Sequence, residues 1–333
     1  AMSDTPFRYV IVGSGNISRT YLKAIDRSPE LELVGTVSRS GRQIEDAPAN
    51  LPVFPSITDV NVPFDAVILC TPNGLHHQGA SEAAKLGKHV LTEKVLEISR
   101  ENMDAMICAC EAAGVKLAVS YQRRMSPENQ TLKKLLENGS LGRVFAADMR
   151  VKFWRDEAYY NSGAYRGGYE IDGGGPFIQQ AAHNVDLFCW FFGMPEKIVS
   201  MLGTQIHDIE VEDHGTALLR YADGMLGSIT ASSACKPGFA PILDIHTDKG
   251  TVVLINDEIT TWEIEGVENP AAGKEFEVHS GADSAAVEDT AGHEAILQDF
   301  AAAVRENRDP AVPASSGRLA TDLVLQIYEA NVR

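Results

Sequence analysis

The stretch Phe7–Ser18, FRYVIVGSGNIS, is the part of the sequence that predicts the fold most directly. Phe7–Val12 is an apolar run typical of a buried parallel strand, and it leads into a glycine turn and a helical segment. A strand, a glycine turn and a helix in this order form the setting of a dinucleotide-binding fingerprint. Gly13 permits the tight turn, Gly15 lets a pyrophosphate approach the backbone, and Ser18 is small enough to replace a third glycine. A turn that binds nothing is the plainer alternative.

The end of the next strand bears on which dinucleotide would bind. The strand Leu31–Val37 is followed by Ser38 and Arg39, and the first acidic residue is Glu45. An NAD site usually has an acid at the strand end, where it accepts hydrogen bonds from the adenosine ribose. A hydroxyl and a guanidinium suit the 2′-phosphate of NADP instead. We therefore expect NADP in preference to NAD, against the alternative that Arg39 is a solvated loop residue.

The alternation of strands and helices continues to about Tyr121. Further strands are predicted at Asp65–Cys70, His89–Glu93 and Val115–Ser120. In an open parallel sheet, ligands lie outside the carboxyl ends of the strands. Four residues occupy such ends and are expected to converge on one crevice: Gly13, Ser38, Thr71 and Lys94. Residues 1–121 are therefore predicted to form an NAD(P)-binding Rossmann domain of the α/β class with a parallel sheet.

The stretch Asp172–Gly193, DGGGPFIQQAAHNVDLFCWFFG, marks the second part of the chain. Its apolar residues recur at i, i+3, i+4 and i+7, which predicts a helix with Pro176 in its first turn. Gln179 and His183 fall one turn apart on a neighbouring stripe of that helix. On this helix alone, a structural role for His183 is the more common interpretation.

Strand-like segments without intervening helices follow this helix, which indicates an antiparallel sheet. They are Lys197–Ile206, Asp213–Tyr221, Met225–Ala231, Ile242–Thr247, Thr251–Ile255 and Thr260–Ile264. A polar surface loop is predicted over Gly266–Glu288, and two helices, Thr290–Arg305 and Ser316–Val332, close the chain. Residues 122–333 are therefore predicted to be a C-terminal α+β domain with a large mostly antiparallel sheet. The substrate is expected between the two domains.

The composition argues against several kinds of partner. The 333 residues carry a net charge of -17, which disfavours nucleic acid and anionic membranes. No apolar segment reaches the length of a membrane span, and the start of the chain has no signal-peptide pattern. The five cysteines are odd in number and lie mostly in apolar runs, which predicts a reducing, cytoplasmic location. No histidine and cysteine cluster has the spacing of a metal site.

Several motifs in this order resemble the glucose–fructose oxidoreductase and inositol dehydrogenase family (Gfo/Idh/MocA). They are Gly13-x-Gly15, Thr71-Pro72-Asn73, Gly87-Lys88-His89-Val90 with Glu93-Lys94, and the run from Gly173 to His183. The resemblance covers nearly the whole chain. It implies an NAD(P)-dependent dehydrogenase acting on a secondary alcohol or ketone of a sugar, sugar derivative or polyol. Relatives of this kind often pair through the exposed face of the antiparallel sheet, which implies a homodimer or homotetramer.

The resemblance also implies which residues form the site. Lys94 and His183 match the catalytic lysine and histidine of the family. The cofactor-binding set is Gly13, Ser14, Gly15, Asn16, Ile17, Ser38, Arg39, Thr71, Pro72, Asn73, His76, Glu93 and Lys94. The substrate-binding set is Gln122, Arg123, Tyr160, Arg166, Gln179, Gln180 and His183. We expect His183 to act as the base in oxidation, with Lys94 polarising the oxygen.

Two residues depart from the family pattern. Val95 stands where the family usually has proline, and a trans bond is expected because a cis bond without proline is costly. Gln179 stands where inositol-type members have aspartate, and glutamine cannot accept a proton. The triple glycine, Tyr160, the run Tyr165–Gly167 and Gln180 together resemble a subgroup that includes nucleotide-sugar uronate 3-dehydrogenases.

Three arginines are candidates for binding a carboxylate or phosphate on the substrate, and ordinary salt bridging is an equally good interpretation: Arg123, Arg124 and Arg166. Other function classes also stay open. The same fold occurs in regulatory proteins that bind a dinucleotide without catalysis. Some relatives process glycosides through transient oxidation, and a reductase for a small ketone or diketone is a third possibility.

Overall fold

A computed structural model describes residues 5–275 and 289–333, which form two compact units. The first unit comprises residues 5–125 and 289–318, and the second comprises 126–275 and 319–333. The predicted boundary near Tyr121 is close to this division. The structure differs in that the chain returns to the first unit near its end, so the two units are not consecutive halves of the sequence.

The first unit is built on a six-stranded sheet whose paired strands are all parallel. The strands are β1 (Phe7–Val12), β2 (Leu31–Val37), β3 (Val53–Phe54), β4 (Ala66–Leu69), β5 (His89–Glu93) and β6 (Leu117–Ser120), in the order β3-β2-β1-β4-β5-β6. All four residues of β4 are buried, as a central strand covered on both faces requires. The strand order reverses between β1 and β4, which places a ligand crevice at their carboxyl ends. The predicted Rossmann fold is confirmed.

Five helices belong to the first unit: α1 (Asn16–Asp26), α2 (His76–Lys85), α3 (Arg100–Ala113), α7 (Ala291–Glu306) and α8 (Ala314–Gly317). Local sequence sets the ends of α3. The Ser99 hydroxyl accepts a hydrogen bond from the Asn102 N–H at 3.1 Å, and Gly114 ends the helix in the left-handed region with φ 67°.

Helix α7 belongs to the first unit because of its buried contacts with β1 and α1. The Tyr9 hydroxyl donates to the Leu297 carbonyl at 2.8 Å, and Phe300 is buried. At the start of α7, Arg27 donates to the Thr290 hydroxyl at 2.7 Å. These contacts join residues nearly 300 positions apart, and sequence periodicity cannot reveal them.

The second unit is built on a seven-stranded sheet in the order β13-β12-β11-β7-β10-β9-β8. The strands are β7 (Val144–Lys152), β8 (Lys197–Gly203), β9 (His214–Arg220), β10 (Leu226–Ser232), β11 (Ile242–Thr247), β12 (Gly250–Ile255) and β13 (Glu258–Ile264). Only the β7–β10 pair is parallel among the paired strands of this sheet. The predicted mostly antiparallel sheet is confirmed.

Four helices complete the second unit: α4 (Pro127–Glu137), α5 (Glu157–Tyr160), α6 (Ala182–Phe192) and α9 (Leu319–Glu329). Helix α6 carries the predicted apolar face, and Val185, Phe188 and Cys189 are all buried. Burying a side chain of this size stabilises the fold by roughly 1.5–3 kcal/mol. None of the helices in the described part of the chain has the length and apolarity to cross a membrane.

The predicted start of α6 is wrong. Residues 176–181 form turns, and the regular helix begins at Ala182 rather than at Pro176. The backbone hydrogen bonds of this stretch differ in span: Ile178 donates three residues back, Gln179 four and Ala181 five, so they do not form a regular helix. Gln179 therefore lies in a turn before the helix that carries His183.

The loop predicted over Gly266–Glu288 is irregular as far as residue 275, and its remainder lies outside the described residues. The final helices were predicted well. The helix predicted at Thr290–Arg305 is observed as α7, whereas the one predicted at Ser316–Val332 is divided into α8 and α9.

Candidate functional site

The glycine turn after β1 has the geometry of a nucleotide-binding loop. Gly13 has φ +114°, and a Cβ on it would lie 2.9 Å from the Cys70 carbonyl oxygen, so a larger residue has neither the backbone freedom nor the room. Gly15 is exposed at the N-terminus of α1, and nothing lies within 4 Å of a Cβ built there. Ser18 is buried and donates to the Gly13 carbonyl at 3.0 Å. The small third residue therefore packs as predicted and also holds the turn.

A cavity of about 370 Å³ opens beside this turn in the first unit. The predicted residues Gly13, Ser14, Ser38, Arg39 and Thr71 all line it, together with Leu75, Gln78, Gly79 and Glu82 of the segment leading into and along α2. The Thr71 hydroxyl is buried and has no hydrogen-bond partner among the described residues. The cavity thus combines an uncovered backbone turn at a helix N-terminus with an unpaired hydroxyl. Together these features fit the binding of a dinucleotide.

The acidic residues that follow β2 are occupied elsewhere. Arg19 binds Asp46 at 2.6 Å and Glu45 at 3.6 Å. Ser38 lies within 3.2 Å of the Ser40 hydroxyl, and Arg39 is exposed at the cavity. One carboxylate, Glu82, does line the cavity, and one of its oxygens accepts two hydrogen bonds from Thr58.

Lys94 follows the carboxyl end of β5 and is half-buried. Its neighbour Glu93 is buried and accepts a hydrogen bond from the Tyr21 hydroxyl at 2.7 Å, which ties the strand end to α1. The Lys94–Val95 peptide bond is cis, so the expectation of a trans bond was wrong. Val95 is buried, and its carbonyl is held by the ring of His76, so tertiary contacts rather than proline fix this bond.

In the structure, His76 is surrounded by groups of the chain itself. The ring is fully buried. Its Nδ1 lies 2.7 Å from the Val95 carbonyl oxygen, and its Nε2 lies 2.9 Å from the Thr71 carbonyl oxygen. Both nitrogens thus contact the chain itself, whereas the prediction placed His76 among the cofactor-binding residues. Pro72 and Asn73 precede it in the short turn before α2.

In the second unit, Gly174 and Gly175 are required by packing within the chain. A Cβ on Gly174 would overlap the Tyr328 hydroxyl, and one on Gly175 would overlap the Glu212 backbone oxygen. The Glu212 carboxylate accepts hydrogen bonds from the Gly175 N–H at 3.0 Å and from the Tyr328 hydroxyl at 2.6 Å. Burial raises the pKa of Glu212 to about 7 against these hydrogen bonds, which lower it. Neither Glu212 nor Tyr328 was predicted, and no local sequence signal points to them.

Gln179 takes up an acidic partner in the turn before α6. Its Nε2 donates to the backbone carbonyl and to Oδ1 of Asp172, both at 2.8 Å. The second carboxylate oxygen of Asp172 accepts the N–H of Gly167 at 3.1 Å. The buried carboxylate of Asp172 therefore lies within hydrogen-bond distance of Gln179, one of the two residues that depart from the family pattern. His183 follows in the first turn of α6 and is half-buried.

Tyr159 gathers the predicted polar residues of the second unit. Its hydroxyl accepts hydrogen bonds from Arg166 at 2.9 Å and from Gln180 at 3.0 Å. The guanidinium of Arg166 also lies over the Tyr159 ring at 4.7 Å, and that of Arg155 lies 5.7 Å from it. Burial raises the pKa of Tyr159, so its proton is retained at neutral pH. Tyr159 is not among the predicted substrate-binding residues.

Two buried polar atoms around Tyr159 are unpaired within the described part of the chain. They are the Nε of Arg166 and the Oε1 of Gln180. None of the described carboxylates forms an ion pair with Arg166. A cationic fork with a hydroxyl donor and an amide acceptor beside it suits an oxygen-rich anion.

Other predicted residues are held by the chain itself. The Tyr160 hydroxyl is hydrogen-bonded to the Ser233 hydroxyl at 2.6 Å, and burial raises its pKa to about 12. Gln122 and Arg123 are half-buried in a turn of the first unit, where Arg124 is buried and donates to the Ser316 hydroxyl at 2.7 Å. Of the three arginines considered for an anion, the structure thus gives Arg124 a structural contact and leaves Arg166 the better candidate.

No group of three or more metal-binding side chains is found within residues 5–275 and 289–333. The five cysteines, all of which are described, form no disulfide.

Comparisons with known proteins agree with this architecture. A family model described as oxidoreductase family, NAD-binding Rossmann fold, matches residues 7–121, and a model of the GFO/IDH/MocA C-terminal domain matches residues 129–253. The WlbA dehydrogenase from Bordetella pertussis, solved in complex with NADH and UDP-GlcNAcA, is similar with a TM-score of 0.85 and 30% identity. The match covers 98% of this chain and 96% of that one.

Two curated relatives are similar at lower identity. One is 4-carboxy-2-hydroxymuconate-6-semialdehyde dehydrogenase of Sphingobium sp., 24% identical over 91% of this chain and 92% of the relative. The other is inositol 2-dehydrogenase of Rhizobium meliloti, 23% identical over 77% of this chain and 78% of the relative.

Proposed function

Because the chain belongs to the GFO/IDH/MocA family of oxidoreductases, we propose that it is a dehydrogenase for an acidic sugar, with NADP as the preferred cofactor. The observation that carries the substrate class is the Tyr159 cluster, where Arg166 is free of any described carboxylate and unpaired hydrogen-bonding groups surround it. The 30% identical WlbA dehydrogenase, solved with UDP-GlcNAcA, supports a nucleotide-linked uronate as the first substrate to try.

The proposed chemistry divides between the cofactor and two side chains. A dinucleotide held in the cavity lined by Gly13, Ser38 and Thr71 would supply hydride transfer at the secondary carbinol carbon. His183 takes the hydroxyl proton as the C–O bond becomes a carbonyl, because an imidazole titrates near neutral pH. Lys94 donates a hydrogen bond to the same oxygen and stabilises the negative charge that develops on it. The hydride and the proton thus leave the substrate by separate routes.

The cofactor preference rests on the end of β2. Ser38 and Arg39 line the cavity, and the first two acids after them are bound to Arg19. A guanidinium and a hydroxyl offer donors to a 2′-phosphate, whereas a carboxylate at this place would repel it. The NADH bound to the B. pertussis relative makes NAD the alternative to be measured.

A substrate panel tests the proposed function. The purified protein is mixed with NADP⁺ or NAD⁺ and one of four compounds, and the absorbance of the reduced nicotinamide is followed. The compounds are UDP-GlcNAcA, UDP-GlcNAc, free glucuronate and myo-inositol. We expect turnover with the nucleotide-linked uronate and little with UDP-GlcNAc, whose sugar lacks the carboxylate. Turnover with myo-inositol alone would contradict the acidic-sugar proposal, and tight dinucleotide binding without turnover of any sugar would favour the regulatory class instead.

We also propose that the protein is a homodimer or homotetramer of the cytoplasm. Large apolar side chains on one face of the second-unit sheet are exposed, and Val199 and Leu218 lie directly opposite each other in the β8–β9 ladder. An exposed apolar patch of this kind favours a protein interface. The five free cysteines favour a reducing compartment.

A further inference from the structure

Two consecutive histidines begin α2 and hold the segment that follows Lys94. His76 is fully buried, and its Nδ1 lies 2.7 Å from the Val95 carbonyl oxygen and 3.2 Å from that of Leu96. Its Nε2 lies 2.9 Å from the Thr71 carbonyl oxygen. One imidazole therefore joins the end of β4, where Thr71 lines the dinucleotide cavity, to the backbone directly after Lys94.

The partners of His76 restrict its chemistry. Carbonyl oxygens only accept hydrogen bonds, and a neutral imidazole has one N–H donor. The nitrogen that carries the proton donates to a carbonyl oxygen on its own side, and the ring lies between the two backbone segments with either tautomer.

The second histidine fixes the same segment through Glu97. The Glu97 carboxylate is fully buried and accepts hydrogen bonds from the backbone N–H of His77 at 3.1 Å and from its Nδ1 at 2.8 Å. Its other oxygen accepts the N–H of Ile98 at 2.7 Å. On the opposite side of Lys94, Glu93 is held by Tyr21. Lys94 thus projects from a backbone that is hydrogen-bonded on both sides.

We propose that His76 is a positioning residue for Lys94: its buried ring lies between the Thr71 and Val95 carbonyl oxygens and fixes the backbone from which Lys94 projects. The kinetic part of this proposal rests on the catalytic role of Lys94 proposed above. A displacement of about 1 Å in a catalytic group costs on the order of 100-fold in rate, so a loosened segment lowers kcat.

Two variants separate the donors of His76 from its volume. His76→Phe keeps a flat ring but removes the hydrogen-bonding nitrogens, and His76→Gln keeps an amide with two N–H groups. We expect kcat of His76→Phe to fall on the order of 100-fold, with KM for the sugar changed less than about threefold, and His76→Gln to recover about tenfold of the loss. His246→Phe is the matched control, because its ring lies on β11 in the second unit and contacts Thr251.

A second measurement is independent of activity. Amide hydrogen exchange over residues 93–98 is compared in the parent protein, His76→Gln and His76→Phe. We expect faster exchange in this segment of His76→Phe than in the parent, because the segment loses its contact with the ring nitrogens. Unchanged exchange in a folded His76→Phe variant would overturn the proposed contact. A folded His76→Phe variant with kcat close to the parent value would overturn the positioning role, whereas a parent protein without dehydrogenase activity would refute only the proposed function.

Discussion

Among single residues, Arg166 has the contacts that most restrict the class of substrate. It donates to Tyr159 and stacks on its ring, yet no described carboxylate neutralises it. Replacing it with glutamine should raise KM for a uronate on the order of tenfold or more, because a charge-assisted hydrogen bond contributes about 1.5–3 kcal/mol. Turnover of a neutral analogue should change little, and steady-state kinetics on both compounds measure the difference.

Arg150→Gln is the control for this substitution. Arg150 is an exposed arginine of β7 in the same unit, with an ion pair to Asp244 at 3.5 Å. The substrate assignment is wrong if Arg166→Gln and Arg150→Gln have the same small effect on KM for the uronate. Tyr159→Phe adds a further check, because it removes the hydroxyl donor without removing the ring.

Ser38 is the residue at which cofactor preference is best tested. A carboxylate at the end of β2 would repel a 2′-phosphate and accept hydrogen bonds from a ribose. Ser38→Asp should therefore reverse the cofactor preference. The affinity for NADPH should fall on the order of tenfold or more, and the affinity for NADH should rise. Fluorescence titration of both reduced cofactors measures this.

The control for Ser38 is the same substitution at Ser315, which is exposed on α8 of the first unit and does not line the cavity. Ser315→Asp adds the same charge away from the end of β2. Equal affinity of the parent protein for the two cofactors would remove the basis for the NADP proposal.

Sequence reasoning at the residue scale succeeded where the chemistry is local. Gly13 was predicted from its turn, and its φ of +114° and its distance to Cys70 explain why glycine stands there. It did not find Glu212 or Tyr328, because their partners lie far away in the sequence. It placed the His76 ring at the cofactor, although only the fold shows that two carbonyl oxygens occupy its nitrogens.

At the scale of single elements, the turn before α6 is the clearest difference between sequence and structure. Apolar spacing predicted a helix through Ile178, and that residue is indeed buried. Apolar spacing indicates only which side chains face the core, and this turn buries the same side chains with backbone hydrogen bonds of mixed span instead of a regular helical ladder. The side-chain bonds of Gln179 to Asp172 and of Glu212 to the turn stabilise that backbone.

Glu212 gives this turn a pH-dependent stability. Its pKa is raised to about 7 in the folded protein from 4.5. Its contribution is therefore fully present below about pH 4.5 and is lost as the pH rises through about 7, because the unfolded chain ionises first. Two and a half pKa units correspond to roughly 3 kcal/mol. Glu212→Gln cannot ionise and should lose far less unfolding free energy than the parent between about pH 5 and about pH 8.

Urea unfolding of both proteins at several pH values measures this difference in slope. Glu210→Gln is the matched control, because Glu210 is an exposed carboxylate two residues away in the chain. A parent protein whose stability changes with pH no more than that of Glu212→Gln would show that the buried carboxylate is not the source.

At the scale of the whole molecule, the two-domain composition was predictable and the path of the chain was not. The change from alternating strands and helices to consecutive strands marks the division near Tyr121. The return of α7 to the first unit depends on contacts such as Tyr9 with Leu297. The sequence of two amphipathic helices at the end of a chain does not indicate which sheet each helix covers.

The exposed sheet face leads to a prediction about assembly. Leu218 is 60% exposed opposite Val199 on the second-unit sheet. If copies of the chain pair through this face, Leu218→Glu buries a charge at the contact and should shift the oligomer towards monomer. Light scattering coupled to size-exclusion chromatography measures the mass. Leu86→Glu, at a 40% exposed leucine of the first unit, should leave the mass unchanged.

The most direct test of the central claim compares Lys94→Ala and His183→Ala with the parent protein. Turnover of the uronate substrate is measured together with the affinity for NADPH. Both variants should bind the dinucleotide normally and lose turnover by about 100-fold to 10,000-fold, because each removes a group that acts on the reacting oxygen. Near-normal turnover in both variants would contradict the account.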